Sequence, residues 1–297
     1  MRSHQAFGRG LVLAVSLAAG AALALAAPSA RGAVVAHWSF DQVNGGVYAD
    51  DTGAHDATVV TNGTGAIAND SGRFGNGITS NNAAGAQATN NAYLSFANLT
   101  ELMGPGAGSY SVAAWVRTTN TTANNPVLAD WGNAAAGTRR FSYWFSTTNS
   151  GGNSRPRGQS RAANTPVDPA NIDIFARTVP TAAGDVADGG WHHVAWTWDK
   201  DNTVLRTYVD GALADTNDVN PTNADMLIAD SPIGTIGRKG DDNRYFVGSL
   251  DEIWVVEGVL SEEEVIALRD TNVIPEPAAL AWVACGAAAL ARRRRRA

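Results

Sequence analysis

Cysteine is almost absent from this sequence, since the chain of 297 residues contains a single one, Cys285. A framework of disulfides is therefore excluded, and the chain needs a sizeable hydrophobic core or a bound metal for stability. Two motifs of hydrolytic enzymes are also missing, because neither G-x-S-x-G nor H-E-x-x-H occurs in the sequence. These absences argue against a serine hydrolase with a nucleophile elbow and against a zinc peptidase.

Basic residues are scarce in the central part of the chain. All 28 acidic residues lie between positions 34 and 277, whereas five of the 22 basic residues form a C-terminal tail at 292–296 and three (Arg2, Arg9 and Arg31) lie near the N-terminus. The central part thus holds 14 basic residues against 28 acidic ones, a net charge near −14. Such a surface repels polyanions, so nucleic acid is not expected as a partner, and calcium or neutral glycans suit it better.

The C-terminal segment combines three features whose order is informative. They are Pro275-Glu276-Pro277, an apolar run at 278–291, and a tail of five arginines that begins with Arg292-Arg293. At ~1.5 Å per residue the apolar run spans about 20 Å as a helix, less than the ~30 Å of a bilayer core. The arginines are expected to stay on the cytoplasmic side.

This arrangement resembles the PEP-CTERM sorting signal of exported bacterial proteins. The resemblance implies recognition by an exosortase-type processing enzyme, transient contact of a short transmembrane helix with the membrane, and a location at the cell envelope, the cell surface or the extracellular matrix. A plain tail anchor is the alternative.

The N-terminal segment has the pattern of a secretory signal peptide. Arg2 and Arg9 precede an apolar run at 11–27, and Ala24-Leu25-Ala26 provides small residues for cleavage. We therefore predict a signal peptide at 1–33, one domain at 34–271 and the sorting signal at 272–297.

The predicted domain has the pattern of an all-β protein. Short apolar or alternating runs are separated by clusters of Gly, Asn, Asp and Thr, which predicts a sandwich or barrel. Asp210-Gly211, between two such runs, predicts a tight hairpin of type I′. Ser261-Glu262-Glu263-Glu264 forms a capping box and predicts one short helix from Glu262 to about Asp270.

Five motifs in the same order resemble a known family. They are W-S-F-D at 38–41, G-R-F-G at 72–75, S-Y-S-V-A-A-W-V-R at 109–117, W-H-H-V-A at 191–195 followed by Y-V-D-G at 208–211, and F-V-G-S-L-D-E-I at 246–253. The set is similar to the LamG-like, concanavalin A-like lectin/glucanase domains. The resemblance implies an antiparallel jelly-roll sandwich of two sheets, one of them concave.

Catalysis is not expected from the acidic residues of this domain. The glucanase branch of the family carries its two carboxylates in an E-x-D-x-E strand, and no such pattern occurs here. Asp251 and Glu252 are neighbours in a predicted strand, so regular alternation would send them to opposite faces. We therefore predict non-catalytic binding of an extracellular polysaccharide or glycan. A structural or adhesive matrix protein without a glycan ligand and a divergent glycoside hydrolase remain the alternatives.

Alternation also indicates which aromatic residues bind the ligand. Trp144 shares a strand face with Ser142 and Ser146, which suggests an accessible platform for a sugar ring. Trp115 lies on one face with Arg117, although the family motif itself contains this tryptophan and packing is the alternative. The predicted ligand-binding residues are Trp144, Trp115, Ser142 and Arg117. By contrast, Trp196 and Trp198 share a face with Val194, which predicts core positions.

The resemblance further implies a structural calcium ion. Its ligands would be the carboxylates of Asp41 and Asp251 and a backbone carbonyl near Gly75, since calcium takes oxygen ligands in irregular loops. The alternative is that these aspartates cap turns or pair with Arg73 or Arg238.

Overall fold

The structure is a computed structural model that describes residues 32–82, 89–97, 99, 102, 108–120, 125–130, 140–146, 155–161, 175–177, 186–202, 204–218, 233–239 and 244–275. Residues 1–31 of the predicted signal peptide and the sorting-signal residues Glu276, Pro277, Arg292 and Arg293 lie outside the described residues, as does the predicted C-terminal helix. None of the described helices is both long and apolar enough to cross a membrane.

Nearly all of the described regular structure is β. The strands in chain order are β1 (Val34–Trp38), β2 (Val43–Asn44), β3 (Val47–Tyr48), β4 (Ala57–Asn62), β5 (Ile67–Ser71), β6 (Asn76–Ser80), β7 (Asn91–Ala97), β8 (Tyr110–Arg117), β9 (Asn125–Asp130), β10 (Arg140–Ser146), β11 (Arg155–Arg161), β12 (Phe175–Arg177), β13 (Trp191–Asp199), β14 (Val204–Val209), β15 (Ala212–Asp218), β16 (Ile233–Ile236), β17 (Arg238–Lys239), β18 (Arg244–Tyr245) and β19 (Ser249–Glu257). A helix, α1, spans Glu262–Thr271.

Two antiparallel sheets form the body of the described domain. Sheet A has the strand order β15-β14-β13-β8-β19-β6-β5, and β1 pairs with β19 beside this path. Sheet B has the order β12-β11-β10-β9-β16-β7-β4-β3-β2, and β17 and β18 form a separate hairpin. The predicted class, an all-β sandwich of two antiparallel sheets with one short helix, is confirmed.

The core lies between the two sheets because alternate residues of each strand point inward. Its fully buried large side chains include Trp38, Trp196, Trp198, Phe40, Phe246, Leu94 and Leu128. The prediction that Trp196 and Trp198 are core residues is confirmed. This apolar core explains how a chain with one cysteine buries enough surface to fold.

The two local motifs fold as the sequence predicts. Asp210 and Gly211 have φ angles of 50° and 81° and connect β14 to β15, because a turn of this kind needs positive φ at both positions. Ser261 accepts a hydrogen bond from the backbone N–H of Glu264, and the Glu264 carboxylate accepts one from the N–H of Ser261. This reciprocal pair starts α1 at Glu262.

A bulge interrupts β19 where strict alternation was expected. Asp251 pairs with Trp115 on β8, but the register shifts before Trp254, which pairs with Ala113. Glu252 lies in the bulge with φ 48°, an unusual angle for a residue with a side chain. As a result both carboxyl groups are buried, with 0% and 3% of their residue surfaces exposed, and they contact different elements.

The register between β16 and β7 is fixed from the core side. Gly234 pairs with Phe96, and a Cβ atom at Gly234 would lie 2.2 Å from the Phe96 ring. Only glycine therefore fits opposite this ring, and the neighbouring pair, Thr235 with Ser95, is held in place.

Candidate functional site

The outer face of sheet A is covered. A second apolar cluster joins β8, β13, β14 and β19 to α1 and to the residues that flank this helix. The cluster consists of Ala113, Ala195, Tyr208, Val256, Leu260, Val265, Leu268 and Ile274. Since α1 seals this face, sheet A offers little room there for a ligand.

Trp115 lies on this covered face, and the prediction that it is accessible is wrong. Only 5% of its surface is exposed. The guanidinium of Arg73 lies 4.8 Å from its ring centroid, and the rings of Phe74 and His193 approach its edge. The turn that carries Arg73 and Phe74 therefore packs on Trp115 and removes it from solvent.

Arg117 is half-buried at the end of the same strand. Its guanidinium pairs with Asp70 at 2.5 Å and lies 4.8 Å from the centroid of the Trp191 ring. These contacts tie β8 to β5 and β13. Trp144 and Ser142, in contrast, belong to β10 in sheet B. The structure therefore does not bring the four predicted ligand-binding residues together, because two lie in each sheet.

One row of register positions across sheet B holds small, mostly polar residues. Cross-strand pairing aligns Asn44, Val47, Thr58, Ser95, Thr235, Ala129 and Ser142. Along β7, Leu94 and Phe96 belong to the core, so Ser95 and Tyr93 face outward. Thr58 is exposed, and Ser95 and Tyr93 are half-buried. Thr58 and Ser95 thus present hydroxyl groups to the surroundings, whereas Thr235 is 1% exposed and donates its hydroxyl to the backbone carbonyl of Arg238 at 2.8 Å. The register position of Ser142 extends the row to β10.

An aromatic platform lies beside this row. The Arg238 guanidinium stacks 4.6 Å from the Tyr93 ring centroid and donates a hydrogen bond of 2.9 Å to the Tyr93 hydroxyl. Tyr245 pairs with Arg238 across the β17–β18 hairpin, and its ring centroid lies 6.1 Å from that of Tyr93. Gly237, with φ 78°, turns the chain from β16 into this hairpin and so brings Arg238 over β7.

Sequence reasoning missed this platform. The alternation of Tyr93 with Leu94 and Phe96 contained a usable signal, since it places Tyr93 on the face opposite the core. Arg238 carried no such signal, because its contact with Tyr93 joins positions 145 residues apart.

The residues predicted to bind calcium converge on one turn, at Gly72–Asn76. Asp251 Oδ2 accepts hydrogen bonds from the backbone N–H groups of Arg73 (2.6 Å) and Phe74 (2.9 Å), and Oδ1 accepts one from Glu252 (2.9 Å). A Cβ atom at Gly72 would lie 2.5 Å from Asp251 Oδ2, so only glycine permits this approach. Burial raises the pKa of the Asp251 carboxyl to about 7, although these N–H groups favour its ionised form.

Asp41 holds the other side of the turn. Its Oδ1 accepts a hydrogen bond of 2.7 Å from the backbone N–H of Asn76, and it packs against Gly75, which has φ 63°. The Gly75 carbonyl accepts the N–H of Gly72 at 3.1 Å. Both aspartates therefore cap the turn, which is the alternative that the sequence left open. Two carboxylates and one carbonyl supply fewer than the 6–8 oxygens that calcium takes, and the described residues hold no group of three or more His, Cys, Asp or Glu suited to a metal. Calcium stays a prediction.

One histidine lies between two carboxylates at the edge of sheet A. His37 Nε2 is 2.5 Å from Glu252 Oε2, Nδ1 is 3.0 Å from Asp51 Oδ2, and the ring stacks on Trp254 at 3.6 Å. Carboxylates therefore contact both ring nitrogens of His37. The arrangement ties β1 to β19 and to the loop between β3 and β4.

The adjacent histidines of β13 have opposite environments. His192 is partly exposed and bridges Asp210 (2.9 Å) and Asp188 (3.1 Å), and these carboxylates raise its pKa to about 9. His193 is buried, and desolvation lowers its pKa to about 3, so it is neutral. The two rings lie on opposite faces of the strand, as side chains of neighbouring strand residues do, and neither takes part in a metal cluster of the described residues.

Comparison with known proteins agrees with this architecture. The family model described as concanavalin A-like lectin/glucanases superfamily (Laminin_G_3) matches residues 88–266, more than half of the chain. The protein belongs to this superfamily. The matched residues include both the platform residue Tyr93 and the buried Trp115.

Two solved structures share the concanavalin A-like fold of this chain. Domain 4 of AbnA, a GH43 extracellular arabinanase from Geobacillus stearothermophilus, in complex with arabinotriose, has a TM-score of 0.54 and 19% identity, covering 81% of this chain and 100% of that chain. The binding domain of botulinum neurotoxin DC in complex with SialylT has a TM-score of 0.53 and 12% identity, covering 80% of this chain and 50% of that chain.

One curated protein shows similarity in sequence. Mouse neuronal pentraxin-2 is 27% identical over 105 residues, which are 33% of this chain and 24% of that protein. The chain thus matches about a quarter of the length of this relative.

Proposed function

We propose that this protein binds carbohydrate without catalysis, on the outer face of sheet B. The observation that carries the proposal is the Tyr93 platform, backed by Arg238 and Tyr245, beside the hydroxyl groups of Thr58 and Ser95 on a face that α1 does not cover. Sugars have an apolar C–H face that stacks on aromatic rings and a polar edge that forms hydrogen bonds. The half-buried Tyr93 supplies the aromatic ring for the C–H face, and the exposed Thr58 supplies a hydroxyl group for the polar edge.

The orientation of Tyr93 supports a binding role. Arg238 holds its hydroxyl and stacks on its ring, so the side chain is fixed before a ligand arrives and loses little conformational entropy on binding. The fold neighbours solved with arabinotriose and with SialylT support carbohydrate as the class of ligand. Trp144 and Ser142, on β10 of the same sheet, are proposed as an extension of this surface.

A non-catalytic role agrees with the placement of the acidic residues. Glycoside hydrolysis needs a cleft with two carboxyl groups, one of them in an apolar environment that keeps it protonated. Asp251 has a raised pKa, but it lies buried beneath the Gly72–Asn76 turn. Asp41 and Asp56 line an open cleft, but both are exposed and each is anchored by a backbone N–H.

The test is a binding assay of the purified protein against a panel of soluble polysaccharides by affinity electrophoresis. Tyr93→Ala is expected to weaken binding about tenfold or more, because a central aromatic anchor dominates such interfaces. Arg206→Ala is the matched control, since Arg206 lies on β14 in sheet A. Binding that survives Tyr93→Ala would overturn the site. Absence of binding to the whole panel would favour the structural or adhesive matrix role, and release of reducing ends would favour a divergent hydrolase.

Export and calcium belong to the same proposal. We propose that 1–33 directs export, and that an exosortase-type enzyme removes the segment after Pro277, leaving the domain at the cell surface or in the matrix of a bacterium. Mass spectrometry of the surface form is expected to find no peptide from 278–291.

For calcium at Asp41 and Asp251, a chelator is expected to lower the melting temperature, because an ion bound only by the folded state stabilises it. An unchanged melting temperature would exclude the ion.

A further inference from the structure

An open cleft of about 620 Å³ lies at the β2–β3 end of sheet B. Its polar wall consists of Asp41, Gln42, Asn44 and Asp56, and short apolar side chains, Val47 among them, form the rest. Pockets for small molecules usually measure about 300–1,000 Å³ and combine apolar surface with a few placed polar groups. The cleft has both properties.

The two carboxylates of the cleft are fixed in position. Asp41 Oδ1 accepts the N–H of Asn76 at 2.7 Å, and Asp56 Oδ1 accepts the N–H of Asp50 at 2.9 Å. Each hydrogen bond uses one carboxylate oxygen, so in the calcium-free protein the other oxygen of each group remains as an acceptor for a ligand. The surrounding backbone is also held, because the N–H of Ala49 donates to the carbonyl of Gln42 at 3.1 Å.

The cleft continues the outer face of sheet B. Val47, in its wall, pairs with Thr58, and Thr58 pairs with Ser95 in the strand that carries Tyr93. Adjacent strands lie about 4.8 Å apart, so the cleft and the Tyr93 platform are separated by two to three strand spacings, roughly 10–15 Å. A chain of a few sugar units that crosses the strands reaches from one to the other.

The charge of the cleft selects among sugars. It contains two carboxylates, and its lining residues, all of them described, include no Lys, Arg or His. Carboxylates accept hydrogen bonds from sugar hydroxyl groups but repel the acid groups of uronic or sialic units. We propose that this cleft is a subsite for an uncharged sugar unit of a glycan whose other end stacks on Tyr93, an inference that rests on the proposed function.

The experiment measures binding of linear, uncharged arabino-, xylo- and gluco-oligosaccharides, from disaccharide to hexasaccharide, by calorimetry with the purified protein in chelator, so that Asp41 holds no calcium ion. The cleft variants are Asp41→Asn with Asp56→Asn, and separately Asn44→Ala. Asparagine keeps the acceptor oxygen that each backbone N–H needs, and Asn44 is exposed, so the fold is preserved. Asp201→Asn, in the exposed turn after β13, is the matched charge control.

The cleft variants are expected to lose about tenfold in affinity for the longer oligosaccharides, through weaker hydrogen bonds, and to bind the disaccharides as the wild type does. Oligogalacturonates of matched length are the second probe. The wild type is expected to bind them more weakly than the uncharged series, and the double variant is expected to narrow that difference because it removes two negative charges.

The outcomes separate the two proposals. If Tyr93→Ala weakens binding but the cleft variants match the wild type at every length, the subsite is wrong and the platform stands. If oligogalacturonates bind but no uncharged oligosaccharide does, the subsite is wrong and the proposed function stands. If no oligosaccharide of either kind binds, or Tyr93→Ala has no effect, the proposed function fails and the subsite fails with it.

Discussion

The two outer faces of the sandwich differ in what they do with their side chains. The outer face of sheet A is apolar and packs under α1 and the Gly72–Asn76 turn, so that even Trp115 and Asp251 are buried. The outer face of sheet B carries Thr58 and Ser95 and leaves the Tyr93 platform half-buried. One face therefore stabilises the protein, whereas the other stays accessible and is the face that we propose binds carbohydrate.

The largest expected effect tests the covered face directly. Leu268→Ala, which removes a side chain 1% exposed between α1 and sheet A, is expected to lower the free energy of unfolding by about 3 kcal/mol, from lost burial and a residual cavity. Urea unfolding measures it. Val273→Ala, at a residue 56% exposed beyond α1, serves as control and is expected to change little. Equal losses for both variants would contradict the assignment of a sealed face.

A second prediction concerns the buried carboxylate on the same face. Asp251→Ala is expected to cost about 2–3 kcal/mol, because the N–H groups of Arg73, Phe74 and Glu252 lose their acceptor. Asp251→Asn keeps one acceptor oxygen and is expected to cost less. Thermal unfolding in chelator isolates this hydrogen-bonding effect from any bound ion. Binding at Tyr93 is expected to be unchanged by either variant, and a loss of binding would break the separation of the two faces.

These contrasts also explain how far the sequence predicts the molecule. The Asp210-Gly211 turn and the Ser261 cap were predictable because their hydrogen bonds and φ requirements are local. Trp115 was misplaced because alternation identifies a face but not what covers it. The turn that covers Trp115 is held by a hydrogen bond between Arg73 and Asp251, 178 residues apart.

The candidate site was the least predictable part for the same reason. Tyr93 and Arg238 meet only because β16 pairs with β7 and Gly237 redirects the chain. The bulge at Glu252 was equally hidden, since β19 is buried on both faces and its sequence shows no alternation to interrupt.

A third prediction uses pH to test the ion pairs at the end of sheet A. Hydrogen bonds from His192 to Asp210 and Asp188 raise the His192 pKa from 6.5 to about 9. The raised folded-state pKa means that this stabilisation is fully present below pH 6.5 and is lost as the pH rises through 9. Because both carboxylates are exposed to solvent, which screens them, we expect a loss of about 1–2 kcal/mol.

Melting temperatures at pH 6.5 and pH 9.5 measure this loss. His192→Gln is expected to reduce the fall in melting temperature over this window but not to abolish it, because the raised pKa of Asp251, about 7, adds a smaller loss of stability as the pH rises through 7. His193 does not add to this change. Because its pKa is lowered to about 3, its contribution to the free energy of unfolding is constant above pH 6.5 and falls only at lower pH. A wild-type profile as flat as that of the variant would contradict the imidazolium at His192.

The smallest effect concerns the start of α1. Ser261→Ala is expected to cost about 1 kcal/mol, because the N–H of Glu264 loses its capping acceptor. Ser261→Asp, which keeps an acceptor and adds favourable charge at the helix N-terminus, is expected to restore stability. If Ser261→Ala also weakened carbohydrate binding, the two faces would be coupled through the sandwich.

The fit of the Phe96 ring over Gly234 has a practical consequence. A Cβ atom at position 234 would meet that ring, so β16 cannot shift its register against β7. The core side therefore sets the alignment of the two strands, whichever residues stand at the outward positions. Positions 58, 60, 93 and 95 can therefore be randomised in a library while the hydrophobic core stays untouched. The domain is in this respect a scaffold on which variants that bind chosen sugars can be selected while the core residues, and with them the fold, stay unchanged.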